Sequence, residues 1–576
     1  MKTLTLALTL GAAMMAMSCA SISSEDQKFE TLARDYLERY LELNPETATI
    51  LGDHRYDHRL NDYGAAGVGD RLDFNKKSLE SLERIDPRKL GTANRIDYAI
   101  LKNNIESSIF ELETLRPLEW NPLAYNVGGA IYSLLAREFA PLEQRLLSVR
   151  HRLEAVPEVV ALAKANLKNP PRVHTETAIQ QNQGNIALIG EGLDHFLEQA
   201  PELRRQIEPV REKALNALEY YGSWLEKDLL PESNGEFRLG EKKFRKKLRY
   251  TLHSELDMEE ILTRAKADLA TTHDDMFETA TELFDQYFPG RSIENTPDGR
   301  KTVIKAVLGK LAGTRPTNAT VVDRARECLD RCSEFVVEQD LVRVPEEPIE
   351  LIVMPEFQRG VAVAYCDAPG PLDRASQTFF AISPTPEDWS EERTDSFYRE
   401  YNDYMLNDLT IHEAMPGHYL QLAHANRFEA PTMIRAIYAS GTFVEGWATY
   451  VEQLMVEKGY GGAEVRLQQL KMRLRMIINA IIDQKIHTAG MTEEEAVSMM
   501  MNEGFQEEGE AAGKWRRACL TSTQLSTYYV GNIEVNDIRR AFERKNGAGG
   551  DLRRMHDEML SFGSPPPKYV RELMGL

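Results

Sequence analysis

The stretch LTIHEAMPGHYLQ, Leu409 to Gln421, carries the reading of the whole chain. His412 is followed at once by Glu413, the opening of an H-E-x-x-H metal motif. The position four beyond His412 is Pro416, however, and the next histidine is His418. On a straight α-helix, residues four apart differ by ~40° in azimuth and can share a metal, whereas residues six apart differ by ~240° and cannot. This helix is not free to run straight. Pro416 has no N–H to give, and its ring collides with the carbonyl four residues back, which belongs to His412. Gly417 then admits unusual backbone angles. A break at Pro416-Gly417 either supplies the missing rotation and sets His418 beside His412, or simply ends the helix. The chain has 12 histidines and an acidic balance, so one His-Glu pair is expected by chance and a further partner is needed.

GTFVEGWATYVEQL, Gly441 to Leu454, offers one. On a helix Glu445, Thr449 and Glu452 share a face, at steps of four and three. Zinc peptidases of the gluzincin type take a third ligand from a glutamate on the helix after the motif helix, and Glu445 stands at that point in the chain. Two neutral imidazoles and one carboxylate leave a fourth position open for water. Glu413, beside a ligand, is then the expected general base. The plainer reading of Glu445 is a surface carboxylate, although Gly446 and Trp447 are unexpected neighbours for one. Other histidines compete less well. His54 and His58, four apart in LGDHRYDHRL, read as structural. His424 reads as an exposed or capping residue. His487, near the end of a long helix, reads as a site residue or as a partner of that helix's C-terminus.

The surrounding chain sets the context. Its 576 residues, 42% hydrophobic and 28% charged, suit a large soluble body, and a net charge of −21 argues against nucleic acid as a partner. MKTLTLALTLGAAMMAMSCA has the basic start, apolar run and small residues of a secretory leader. Ser18-Cys19 resembles a lipoprotein cleavage site with Cys19 as the lipidated residue, although Ala16 and Met17 depart from the preferred residues; cleavage near Ala20 is the rival. Both place the protein outside the cytoplasm, in the cell envelope or secreted; in the lipoprotein reading its only membrane contact is the N-terminal lipid anchor. Cys328, Cys332, Cys366 and Cys519 are too few for a disulfide scaffold and read as buried residues or at most one bridge. Helical periodicity dominates, as in RLQQLKMRLRMIINAIIDQKIH, where Leu467, Leu470, Leu474, Ile477, Ile478 and Ile481 recur at three- and four-residue steps. Strand-like sequence is confined to IELIVMP, RGVAVAYCDAPG and TFFAISP, just before the motif. The expected fold is mainly α, with a small sheet beside a metal cleft. The expected division is a leader over residues 1–18, a helical part over 19–240 and a catalytic part over 241–576, the last two forming separate units or one continuous body.

HEAMPGHYLQ followed by EGWATYVE resembles the bacterial domain-of-unknown-function family 885, a group of zincin-like predicted metallopeptidases. LGDHRYDHRL, LKMRLRMIINAIIDQKIH and TQLSTYYVG resemble family segments in the same order, over roughly residues 45 to 570. The resemblance implies a zincin-like helical body with a buried cleft, similar in general form to angiotensin-converting-enzyme-like folds. It maps the metal ligands onto His412, His418 and Glu445 and the base onto Glu413. Tyr419 stands where many relatives have a second histidine, which leaves His418 as the ligand. The family's Gln-to-Tyr-to-Gly segment maps onto Gln524, Tyr528 and Gly531. Ser522-Thr523 and DQKIH, Asp483 to His487, depart from the usual pattern, which clouds the substrate.

A carbonyl under attack by water develops an oxyanion that a phenol or imidazole can stabilise. Tyr528, Tyr529 and His487 are candidates, with Tyr528 and His487 retained as catalytic residues; the plain reading of the tyrosine pair is core packing. Arg516 and Arg517 read as solvated helix charges or as a planar fork for a substrate carboxylate. Arg517 and Gln524 are therefore the substrate-binding candidates. The expected function is an extracytoplasmic peptidase with one Zn2+ per chain, acting on short peptides. The alternatives are a metal-dependent hydrolase of non-peptide amides and a non-catalytic peptide-binding lipoprotein.

Overall fold

The computed structural model describes residues 24–346, 349–354, 363–373, 378–547 and 550–576. The leader and Cys19 lie outside the described residues. The helical patterns become helices, and the ones that matter here are labelled in order: α1 (Thr92–Phe110), α2 (Leu142–Asn166), α3 (Pro201–Trp224) and α4 (Met258–Tyr287). A three-stranded sheet follows: β1 (Glu350–Val353), β2 (Ala364–Asp367) and β3 (Phe379–Ile382). Then come α5 (Asp403–Glu413), α6 (His418–Ala425), α7 (Gly441–Glu457), α8 (Gly462–Ala489), α9 (Glu508–Leu520) and α10 (Ser526–Asn546). The fold is mainly α, with the small sheet where the strand-like sequence lies. Among the described residues, no helix is long and apolar enough to cross a membrane.

In the first part of the chain, Leu146, Val149 and Leu153 of α2 meet Ile207, Ala214 and Leu218 of α3 in one core. Burying such side chains contributes ~1.5–3 kcal/mol each. The second part is organised around α8. Its Leu467, Leu470 and Leu474 pack with Met276 and Leu283 of α4. Ile477, Ala480 and Ile481 pack with Tyr529 and Val530 of α10. Ile478, Ile482 and Ile486 pack with Ala511 and Ala518 of α9. A helix apolar around its circumference belongs at the centre of a body rather than on its surface. Two buried cations on α8 share one carboxylate: the Lys471 Nζ lies 2.8 Å from Glu400 Oε2, and Arg475 reaches the other oxygen.

In the sheet, β3 is central, with β1 parallel on one side and β2 antiparallel on the other. Ser383 N–H donates to Val363 O, and the register opposes Tyr365 to Ala381. The alternation of an antiparallel pair then turns the N–H of Cys366 to the free edge of β2. Phe380, Ile382 and Ala364 share a core with Leu406 and Ile411 of α5 and with Trp447 and Tyr450 of α7. The cysteines Cys328, Cys332, Cys366 and Cys519 are all free.

The two parts are bound together closely. LGDHRYDHRL packs on the loop after β2: a Cβ at Gly370 would sit 2.3 Å from the backbone of Leu51, and Leu372 N–H donates to Leu51 O at 2.9 Å. His54 stacks on Phe139 with 3.6 Å between ring centroids, and its Nδ1 pairs with Asp57. Arg435, in a one-turn helix between α6 and α7 (Ile434–Ile437), is buried against Asp97 of α1, with Nε to Oδ1 at 2.6 Å. Removing one partner from such a pair strands the other charge. Arg435→Ala is therefore expected to cost about 3–5 kcal/mol of unfolding free energy. Urea denaturation measures it, and a loss below about 1 kcal/mol would show that the pair does not hold the two parts together.

Candidate metal centre

Asn402 caps the N-terminus of α5, its side chain accepting from the N–H groups of Tyr404 and Met405. The helix ends at Glu413, the chain turns through Ala414 to Gly417 with Met415–Pro416 in cis, and α6 starts at His418. The break predicted from Pro416 is real. Gly417 returns so close to the last turn of α5 that a Cβ there would lie 1.9 Å from His412 O and 2.3 Å from Ile411 O. Only glycine fits. The indole N–H of Trp447 donates to Pro416 O at 2.9 Å and satisfies the carbonyl exposed by the turn. The new helix direction brings His418 beside His412, with ring centroids 4.6 Å apart and the planes near perpendicular.

Glu445 faces both rings. Its Oε2 lies 3.5 Å from the Nε2 of His412 and 3.5 Å from the Nε2 of His418. All three donor atoms fall within 4.8 Å of one another. Tetrahedral zinc with bonds of about 2.0–2.1 Å separates its ligand atoms by about 3.4 Å, so this donor set fits such an ion. The Oε2 of Glu445 is buried and has no hydrogen-bond partner among the described residues. A buried acceptor left unpaired is costly, and a cation at the focus of the three groups removes that cost.

Glu445 is placed by a second close approach. A Cβ on Gly446 would lie 2.5 Å from the backbone of Gly531, and one on Gly531 would lie 2.1 Å from Thr442 O. Helices α7 and α10 thus cross backbone to backbone. That contact explains Gly446 beside Glu445, and it brings Tyr528, one turn before Gly531, toward the centre. The Tyr528 hydroxyl accepts from Arg517 Nη2 at 3.2 Å, and the same Nη2 donates to Gln524 Oε1 at 2.9 Å. Burial and then the charge of Glu445 raise the Tyr528 pKa, which keeps the phenol protonated.

Behind His412 stands Glu452, whose role was not assigned from the sequence although its shared face with Glu445 was legible. Its Oε1 lies 2.5 Å from His412 Nδ1. With Nδ1–H donating to this carboxylate, Nε2 is left free to face Glu445, the arrangement that fixes the tautomer of a metal-binding histidine. Burial resists a charge on His412, but the carboxylates of Glu445 and Glu452 that face its two ring nitrogens prevail and hold its pKa well above the ordinary value. Burial likewise opposes ionisation of Glu445, yet His412 and His418 hold its carboxyl well below the usual carboxylate range. The pocket is arranged to hold positive charge. Asp408, one turn before His412, is buried with neither oxygen hydrogen-bonded among the described residues; burial and the nearby Glu452 push its pKa well up.

Glu413 is half-buried and directed to the sheet, its Oε2 accepting from Cys366 N at 3.1 Å on the free edge of β2. Tyr419 points into the core instead. Other candidates fall elsewhere. His487 has its Nε2 2.9 Å from the carbonyl oxygens of both Ala518 and Thr521 and its ring stacked on Phe244, so it pins α8 to the end of α9 and does not join the cluster. Tyr529 donates to Asp268 of α4. Arg516 turns to Thr177, and His424 faces Arg343 O.

A profile described as "Bacterial protein of unknown function (DUF885)" matches residues 45–574. The chain belongs to this family. A structure described as "a putative lipoprotein of unknown function" from Shewanella oneidensis is 32% identical, with a TM-score of 0.80, covering 95% of this chain and 100% of that one. A second, described as a "putative lipoprotein" from Colwellia psychrerythraea, has a TM-score of 0.79 at 18% identity, covering 96% of this chain and 99% of that one, and shares the fold. No curated protein matches the chain.

The contact of Glu452 with His412 predicts that Glu452→Gln weakens zinc affinity by about 10- to 100-fold. Competition with a chromogenic chelator reads this directly, and an unchanged affinity would reduce Glu452 to a packing residue.

Proposed function

We propose that this DUF885 member is a zinc-dependent peptidase of the cell envelope acting on short peptides. The observation that carries the reading is the convergence of His412, His418 and Glu445 across a helix break, with Glu413 beside them at the free edge of β2. Nothing in the packing of a helical body requires two histidines and an unpaired carboxylate at one point. When bound there, zinc supplies Lewis-acid chemistry, polarising a carbonyl and lowering the pKa of a coordinated water to ~7.

The remaining chemistry belongs to the chain. Glu413 is the general base: it takes the proton of the attacking water and passes it to the leaving amine. Tyr528 supports the developing oxyanion with its hydroxyl hydrogen, because its lone pairs are engaged by Arg517 and its pKa is held up. Glu452 holds the tautomer of His412. At the free edge of β2 the Cys366 N–H is held by Glu413, and the carbonyl of the same residue is turned outward as an acceptor for an extended chain, which favours a peptide over a compact small amide. The leader with Cys19, together with the description of the 32%-identical relative, supports a lipid-anchored envelope location.

Elemental analysis of the purified protein is expected to find about one zinc per chain, lost in His418→Ala. Metal retained in that variant would remove His418 from the ligand set. Glu413→Gln is expected to keep its metal and lose all but about 10⁻² to 10⁻⁴ of the peptide turnover. Full turnover in that variant would overturn the base assignment.

A further inference from the structure

Two cations on α9 have no carboxylate within hydrogen-bond distance among the described residues. Lys514 and Arg517 lie three residues apart, on one face of the helix. Arg517 is exposed and donates to Gln524 and Tyr528, both neutral; among the described residues no carboxylate pairs with it. The chain holds 90 acidic residues against 69 basic ones, so a guanidinium facing only an amide and a phenol is not explained by a shortage of acids. Lys514 is more enclosed, its side chain 11% exposed, and its Nζ stands 3.9 Å from Glu510, beyond hydrogen-bond length. Glu510 is already shared with Arg475 and with the Tyr401 hydroxyl. Burial lowers the Lys514 pKa to about 8 against the opposing charge of Glu510, with the charges of Arg475 and Arg517 adding to the lowering.

Two like charges held close, one incompletely paired and one not paired with any acid, are stabilised by an incoming anion. Tyr528 connects them to the centre: its hydroxyl accepts from Arg517 and lies in the field of Glu445. Gln524 orients the guanidinium, which leaves its other N–H groups free for a carboxylate fork. We propose that Arg517 and Lys514 form a carboxylate-recognition subsite of the cleft, and that the substrates are peptides with a free C-terminal carboxylate, cleaved near that end. This rests on the peptidase reading.

The test compares three forms of one short peptide on the zinc-loaded protein: free acid, C-terminal amide and N-acetylated acid. The amide is expected to lower kcat/KM by about 30-fold or more, whereas N-acetylation leaves it within a few-fold. Arg517→Gln is expected to erase most of the preference for acid over amide, Arg517→Lys to restore part of it, and Lys514→Gln to reduce it independently. Equal cleavage of acid and amide by the wild type overturns the subsite and leaves the peptidase reading standing. A preference that survives both Arg517→Gln and Lys514→Gln overturns the assignment to these residues. If no peptide is cleaved, the peptidase reading fails, and calorimetric binding of the same acid and amide decides the subsite alone: equal affinity overturns it.

Discussion

The backbone of Gly417 rests against the carbonyl of His412, and the candidate centre depends on that contact. The last turn of α5 and the first turn of α6 meet with no room for a side chain between them. The direction in which α6 leaves is therefore set by backbone, which is stiffer than any side-chain packing could make it. Trp447 closes the turn from the other side, its indole on the Pro416 carbonyl. Because Trp447 lies two residues after Glu445, the residue that satisfies the turn also fixes the helix that brings the third donor. The crossing of α7 over α10 at Gly446 and Gly531 repeats the device. Two glycine contacts thus position His412, His418, Glu445 and Tyr528 without relying on loops.

Charge is organised in the same economical way. Glu445 lies in front of the histidines and Glu452 behind one of them, with Asp408 close by, its pKa pushed up by burial and then by the charge of Glu452. On the other side of Tyr528's hydrogen-bonding network the sign reverses, with Arg517 and Lys514. A chain of net charge −21 therefore sets a cluster rich in carboxylates next to a pair of cations. Burial makes the first arrangement count, because charges buried away from water are weakly screened.

Much of this was legible in the sequence. Pro416 has no N–H and cannot continue a helix through His412's carbonyl, so a break was required wherever the chain folded. The period of Leu467 to Ile481 identified α8, and three short β-rich stretches identified the sheet. The side to which the chain turned after Pro416 was not legible, because it is decided by Trp447 and the last turn of α5, contacts between residues some thirty positions apart. Glu452 was visible as a residue on the right face but not as a partner of His412, since helix periodicity gives a face and not its neighbour. His487 shows the converse: a histidine near the end of a long helix reads as chemistry or as a partner of that helix's own C-terminus, whereas its Nε2 faces Ala518 and Thr521 at the end of α9, a contact between helices that periodicity does not reveal.

The position of α8 has one more consequence. Its three apolar stripes belong to three different cores, reaching α4, α10 and α9 in turn. No one of these cores can open while the others stay shut, because each would have to release a side of the same helix. Regions that share an indispensable element exchange their amide hydrogens through a common opening rather than separate local ones. The amides at the middle of α8 thus belong to the slowest class in the molecule. Helices α5 and α7, which carry His412 and Glu445 and pack on α8 and on each other, inherit their rigidity from a helix that contributes none of the three donor groups.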